Sequence, residues 1–310
     1  MNIALSKTST YPAQVLEISH STMNMFHSCP RKLEFSKFFN HNMRGSSLAG
    51  DGGNAIHLGV GEYLITRNKQ KAIAAFMLAY PIHLCDNPTW SWSLEAAYGA
   101  LLSVIAFLDS RPDLELATIA GRPAVEVPFL INILHKIPNF LKVVYRGYID
   151  LVFFDKIHGN YFVIDLKNTA RKLSDFSSVF HYDTQCVPYA LVLARALGKE
   201  INSLQTNYLV QPVDLMPAQP QFLEFEKTEQ DIQEWAQDLH MDLNTMSVYY
   251  QSKWFPRRSG SCFAFNRRCK FFELCGTKRM ETLKMMLAGM EKPEVREFTP
   301  WITLDLELAA

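Results

Sequence analysis

The chain has 310 residues, 48% of them hydrophobic and 20% charged, which is enough apolar material for one large domain, or one domain with a helical elaboration. Basic and acidic residues balance at 31 each, so a general attraction to polyanions is excluded and any nucleic-acid role needs a local basic groove. No apolar run approaches the ~18 residues of a membrane span, and the polar stretch Met1 to Tyr11 lacks a secretion-signal core, so a cytoplasmic protein without membrane contact is expected.

In chain order, residues 1–17 read as a loose lead-in. Ser19 or Ser21 can cap a first helix carrying Met25, Phe26, Leu33 and Phe35, and Pro30 predicts a break or a new first turn inside it. Gly45 to Gly53 reads as a flexible loop. Helices are expected over about 54–67, 69–80 and 91–109. The middle of the chain changes character. Val125 to Ile133, Val143 to Phe154 and Tyr161 to Leu166 are rich in Val, Ile, Phe and Tyr and predict strands, with a hairpin connection over Lys156 to Asn160. A helix from about Thr184 to Ala196 ends at Gly198. Two further strands are expected at Leu204 to Val210 and Gln221 to Phe225, then a long helix over Glu229 to Tyr250. Trp254 to Thr277 is an irregular, basic, cysteine-bearing segment, followed by a short helix to about Gly289. The order of these elements is an α/β pattern.

Two acids stand out in the strand-rich block. Asp150 follows Gly147 by three residues, and Asp165 comes fifteen residues later, followed by Leu166 and Lys167. Carboxylates beside apolar strands are costly unless paired or bound to a metal. Two of them on neighbouring strands can hold a hard divalent ion such as magnesium or manganese. Lys167, two residues past Asp165, points to the same face of a strand. The plainer alternative is that these acids mark strand ends and the lysine a solvated edge. His57 on a predicted helix, Glu126 in an alternating strand, and the helical pair Gln185 and Tyr189 each have an equally plain structural reading.

Their order is more specific: Gly-x-x-x-His57, Val-Glu126-Val, Gly-x-x-Asp150, Asp165-x-Lys167, Gln185-x-x-x-Tyr189. This order resembles the PD-(D/E)XK nuclease superfamily, and within it the RecB-like branch that includes CRISPR-associated nucleases. The resemblance implies a restriction-endonuclease-like α/β fold, a central mixed sheet flanked by helices. It implies a helical N-terminal part over 1–120, a nuclease core over 121–227 and a C-terminal helix with a cysteine-rich segment over 228–310. It further implies His57, Asp150, Asp165 and the Leu166 carbonyl as ligands of Mg2+ or Mn2+. Lys167 would be the catalytic lysine, Gln185 and Tyr189 would shape the site, and Glu126 would support it. The activity implied is metal-dependent hydrolysis of DNA phosphodiesters, as an exonuclease on ends or single strands, in a bacterial, archaeal or phage-infected cell. The alternative is a DNA-binding or assembly subunit of a recombination or DNA-acquisition complex, including CRISPR adaptation.

The cysteines add a second feature. Cys262, Cys269 and Cys275 fall within fourteen residues, and three thiols need a fourth partner. In cytosolic chains such clusters point to metal. The segment Phe26-His27-Ser28-Cys29-Pro30-Arg31-Lys32 offers Cys29, and one cysteine before the core with three after it resembles the iron–sulfur RecB-like nucleases. That resemblance implies a [4Fe–4S] cluster on Cys29, Cys262, Cys269 and Cys275, with zinc as the alternative. The gap between Cys262 and Cys269 is wider than that family's usual two residues. Arg31, Lys32, Arg257, Arg258, Arg267, Arg268 and Lys270 flank these cysteines and would form one basic surface for phosphates. The aromatics among them, Trp254, Phe255, Phe263, Phe265, Phe271 and Phe272, either stack on bases or pack around the cluster.

Overall fold

The computed structural model describes residues 14–38, 47–85, 91–170, 180, 183–200, 204–216, 219–264, 267–277 and 298–308. Its centre is a mixed sheet. The strands are β1 (Gln14–Ile18), β2 (Leu114–Leu116), β5 (Val125–Ile133), β6 (Phe140–Asp155), β7 (Asn160–Thr169), β8 (Gln205–Pro212), β9 (Gln221–Glu226) and β12 (Ile302–Leu306), and the small pairs β3 (Thr118–Ile119) with β4 (Arg122–Pro123) and β10 (Phe263–Ala264) with β11 (Arg267–Arg268) lie apart from them. The path across the sheet is β12-β5-β6-β7-β8-β9, with β1 and β2 also pairing with β6. The β5–β6, β6–β7 and β8–β9 pairs are antiparallel; β7–β8, β12–β5 and β1–β6 are parallel.

Helices cover both faces. On one side lie α3 (Leu48–Thr66), α4 (Lys69–Ala79) and α5 (Leu94–Asp109), which bury Ile56, Val60, Leu101 and Ile105 against Leu151, Ile164 and Leu209 of the sheet. On the other lie α6 (Cys186–Leu197) and α7 (Glu229–Ser252), whose Val192, Leu239 and Leu243 meet Phe129, Tyr145, Ile149 and Val163. Two apolar layers on opposite faces of one sheet are what a buried mixed sheet requires. Short helices α1 (His20–Ser28), capped by Ser19, and α2 (Pro30–Leu33), with Pro30 in its first turn, link β1 to this body. A last short helix, α8 (Phe272–Gly276), closes the cysteine-bearing segment.

Several expectations need correction. The lead-in is not loose throughout, because residues 14–18 pair with β6 as a strand. The glycine-rich stretch is not a loop from Ser47 onward: Ser47 accepts a hydrogen bond from the Gly50 amide and caps α3, which starts at Leu48, six residues before the expected boundary. The packing of α3 explains why the helix tolerates glycine. A Cβ on Gly61 would sit 2.8 Å from Val125 Cγ1, so glycine lets α3 close directly onto β5. Strand β12 was not anticipated. The short helix expected after Thr277, to about Gly289, lies outside the described residues.

Gly147 plays a similar part on β6. A methyl group there would stand 2.7 Å from the Phe129 ring, which in turn packs edge-on against Tyr189 at 5.7 Å. Gly147→Ala is therefore expected to destabilise the fold by about 1–3 kcal/mol through overpacking. A denaturant titration measures this directly, and an unchanged midpoint would contradict the close approach.

Candidate active site

The site forms where two strands part. Antiparallel pairing of β6 with β7 runs from Asp155–Asn160 to Leu151–Ile164 and ends there. Asp150 and Asp165 are the next residue on each strand, so the fork begins with two carboxylates. The Leu166 amide, beyond the end of that ladder, donates instead to Asp150 Oδ2 at 2.9 Å. That bond closes the fork and fixes the Asp150 carboxylate.

On the helical side, α3 brings His57 to the same point. Its Nδ1 lies 3.6 Å from Asp150 Oδ2 and 3.8 Å from Glu126 Oε1. Glu126 lies on β5 across from Asp150, between the paired positions Val125–Leu151 and Val127–Ile149. Its φ of 48° is left-handed, a conformation that costs a residue with a side chain roughly 1–2 kcal/mol. Such strain clusters at functional sites. One ligand atom from each of His57, Glu126 and Asp150 falls within 4.8 Å of the others, and among the described residues this is the one such group of potential metal ligands. They border a recess of about 10 Å³ with Val60, Val125, Leu151 and Leu166, close to the size of one water.

The second half of the site lies on β7 and α6. Lys167 Nζ is 2.6 Å from Asp165 Oδ2 and donates to Gln185 Oε1 at 2.8 Å. The Gln185 amide nitrogen donates to Asp165 Oδ1 at 2.8 Å and to the Tyr189 hydroxyl at 3.0 Å. Asp165, Lys167, Gln185 and Tyr189 thus form one connected network, with the Asp165 side chain buried.

The charges are unbalanced in an informative way. Burial pushes the Asp150 carboxyl up to about 7, and the nearby Asp165 charge adds to this. For His57, burial opposes the imidazolium, but the neighbouring Asp150 and Glu126 carboxylates override it, so the ring sits above its ordinary value. Burial likewise opposes the Lys167 ammonium, and the Asp165 charge and hydrogen bond hold it protonated. Glu126 and Asp150 face the His57 imidazole while Asp165 faces Lys167, so protons held at His57 and Asp150 occupy positions that a divalent cation can take.

A profile of the PD-(D/E)XK nuclease superfamily matches residues 17–276. The chain belongs to the PD-(D/E)XK nuclease superfamily. Among solved structures, the nuclease is similar to a Eubacterium rectale protein described as a "putative exonuclease", at 16% identity over 88% of this chain and 94% of that one, with a TM-score of 0.49. It is also similar to SSO0001, at 10% identity over 68% of this chain and 79% of that one, with a TM-score of 0.26. No curated protein sequence matches it. Members of this superfamily use divalent metal ions, and the donor set fits one: two carboxylates suit magnesium or manganese, and the imidazole tilts the set from magnesium toward a transition metal such as manganese.

Sequence reasoning named every side chain above, but the structure groups them in its own way. The donors it draws together are His57, Glu126 and Asp150, while Asp165 is engaged with Lys167 and Gln185. Two neighbours escaped notice. Asp183 Oδ1 accepts a hydrogen bond from the Gln185 backbone N–H at 2.8 Å, and His20 Nε2 stands 3.7 Å from the same oxygen. The Asp-x-Gln spacing was the available signal for the first, as a local side-chain cap. The second depends on β1 carrying the start of α1 to the fork, which no local pattern announces.

The cysteine segment also meets the N-terminal part. The Ser261 hydroxyl donates to the Ser28 carbonyl, the Arg31 amide donates to the Pro256 carbonyl at 3.2 Å, and the rings of Phe35 and Phe271 lie 5.5 Å apart. Burial raises the Cys275 thiol to about 11, reinforced by the neighbouring sulfurs of Cys29 and Cys269. Phe255 and Phe271 are buried, whereas Trp254 and Phe263 are exposed. Phe265 lies outside the described residues. Arg257, Arg258, Arg268 and Lys270 are exposed around this segment. Among the described residues no helix is long and apolar enough to cross a membrane.

Proposed function

We propose that this nuclease is a DNA exonuclease of the RecB-like branch, trimming ends or single strands with little sequence specificity. The observation that carries the reading is the fork, which sets the His57–Glu126–Asp150 donor group beside the Asp165–Lys167–Gln185 network. His57, Glu126 and Asp150 would hold a divalent ion, with Asp165 and the Leu166 carbonyl completing its shell. Such an ion polarises a phosphate and acidifies the attacking water.

The remaining work falls to the chain. Because Lys167 is held protonated, it serves as a cation that orients water and offsets charge on the phosphoryl oxygens, not as a base. Gln185 fixes the Lys167 ammonium and the Asp165 carboxylate relative to one another, and Tyr189 anchors Gln185 from the next turn of α6. Digestion of end-labelled linear and circular DNA, single-stranded and duplex, with magnesium or manganese tests this. Shortening of linear single strands while circles survive is expected; equal cutting of circles would rule out an exonuclease.

A [4Fe–4S] cluster on Cys29, Cys262, Cys269 and Cys275 belongs to the same reading. The contacts that bring residues 28–35 against 256–275 support it, as does the buried aromatic packing beside them. The cluster would tie together positions 233 residues apart, so its binding energy becomes folding energy. Anaerobically purified protein is expected to be brown. Cys275→Ser should bleach it and lower the melting temperature by several degrees. A colourless wild-type protein containing zinc would replace the cluster with a zinc site.

A further inference from the structure

Arg146 and Tyr148 precede Asp150 on β6 by four and two residues, so the three side chains leave the same face of the strand. The alternating partners Tyr145 and Ile149 are buried in the opposite layer, while Tyr148 is 47% exposed. This stretch is also where one edge of β6 is unpaired. Strand β1 pairs with it as far as Tyr145, and β7 pairs with it only from Leu151 onward. Among the described residues no strand fills that edge between them, so an open lane runs along β6 and ends at the fork.

We propose that Tyr148 and Arg146 form the track for a single nucleic-acid strand entering this site, the base beside the scissile phosphate stacking on Tyr148 and a neighbouring phosphate meeting Arg146. The inference rests on reading the fork as the nuclease centre. Side chains two residues apart on a strand advance by about 7 Å, a step that matches the phosphate-to-phosphate advance of an extended, unstacked strand. The chemistry alternates suitably. Tyr148 offers a ring face that any base can use, which tolerates all sequences. The Arg146 guanidinium lies 5.0 Å over the Phe298 ring, and Phe298 meets Tyr148 edge-on at 5.6 Å, so the aromatic floor continues beneath the cation. Arg146 is paired to Glu17 at 3.0 Å, but both side chains are solvent-exposed, at 34% and 46%. Such a pair contributes little, so a phosphate can take the place of Glu17. On the paired side of β6, away from the open edge, Pro128 and Leu130 of β5 stand opposite Tyr148 and Arg146 and offer no group that reads base edges. A base stacked on Tyr148 cannot remain paired, so the track selects single strands over duplex.

Binding of a fluorescein-labelled oligothymidylate, followed by anisotropy with calcium in place of magnesium to hold back turnover, tests the track. Tyr148→Ala should weaken hexanucleotide binding about tenfold, the scale of one base–aromatic stack, and dinucleotide binding less. Tyr148→Phe should restore most of the loss. Arg146→Gln should reduce the slope of log affinity against log salt by about one phosphate contact. Hexanucleotide binding by folded Tyr148→Ala and Arg146→Gln proteins equal to wild type would overturn the proposal, as would a wild-type protein that binds no oligonucleotide. Cleavage assays on the wild type separate the two ideas. The expected binding pattern without any cleavage would uphold the track and sink the nuclease reading, whereas normal cleavage with unaltered binding would sink the track alone.

Discussion

Lys167→Ala is expected to lower metal-dependent cleavage of single-stranded DNA by about 10²–10³-fold, the usual cost of one preorganised charge-stabilising donor. The ammonium stands 2.6 Å from Asp165 and 2.8 Å from Gln185, so its position is set by two partners. Its loss should fall on turnover more than on substrate affinity, since the developing charge it offsets exists only in the transition state. The substitution also strands a buried carboxylate. Asp165 keeps its bond from Gln185, so a modest drop in melting temperature is expected with the circular dichroism spectrum unchanged. Full activity in the alanine variant would remove Lys167 from the mechanism.

Asp150→Asn separates function from stability. In the metal-free protein the Asp150 carboxyl titrates near 7 instead of near the ~3.9 of an unfolded chain, because burial and the Asp165 charge penalise its ionised form. The sign follows from that raised value. Between these two pH values the native state holds a proton that the unfolded chain has lost, so folding stability falls as pH rises. Above about 7 the full penalty is present. Asparagine carries no such penalty and can still accept the Leu166 amide. At pH 8 without metal, Asp150→Asn should therefore be more stable than wild type, by on the order of a few kcal/mol. With manganese the order should reverse, because the wild type gains binding energy and the variant does not. Wild-type manganese affinity should also fall steeply below pH 7, where Asp150 and His57 both retain protons that the ion must displace. Melting curves across pH, with and without manganese, measure all three effects. A variant less stable than wild type in chelator at pH 8 would contradict this electrostatic picture.

The strands that hold the site were legible because their residues announce them. Val125 to Ile133 and Tyr161 to Leu166 carry the β-branched and aromatic pattern of a sheet covered on both faces, and both lie within β5 and β7. Strand β1 was not legible. Gln14-Val15-Leu16-Glu17-Ile18 is five residues long, and only β6 beside it makes it a strand. Ile302 to Leu306 is similar, since its state is set by parallel pairing with β5. The start of α3 was misplaced because glycines at 50, 52 and 53 read locally as a loop, while the Ser47 cap and the packing of the same helix further along, at Gly59 against Leu101 and Gly61 against Val125, extend it back through them. At the fork, residue order named the side chains that the fold brings together but not their grouping. Whether Asp165 faces the histidine or the lysine depends on how β6 and β7 diverge. The left-handed turn at Glu126 depends on the register between β5 and β6. Neither is encoded in the spacing of the residues concerned.

Manganese soaked into crystals of the wild-type protein, located by its anomalous scattering, bears most directly on the whole account. One strong peak should appear at the fork, within coordinating distance of the His57 imidazole and the Asp150 carboxylate, with Lys167 alongside but not bound to it. A map with no peak there, or with its peak elsewhere while His57 keeps its present contacts, would contradict the assignment of this fork as the nuclease centre.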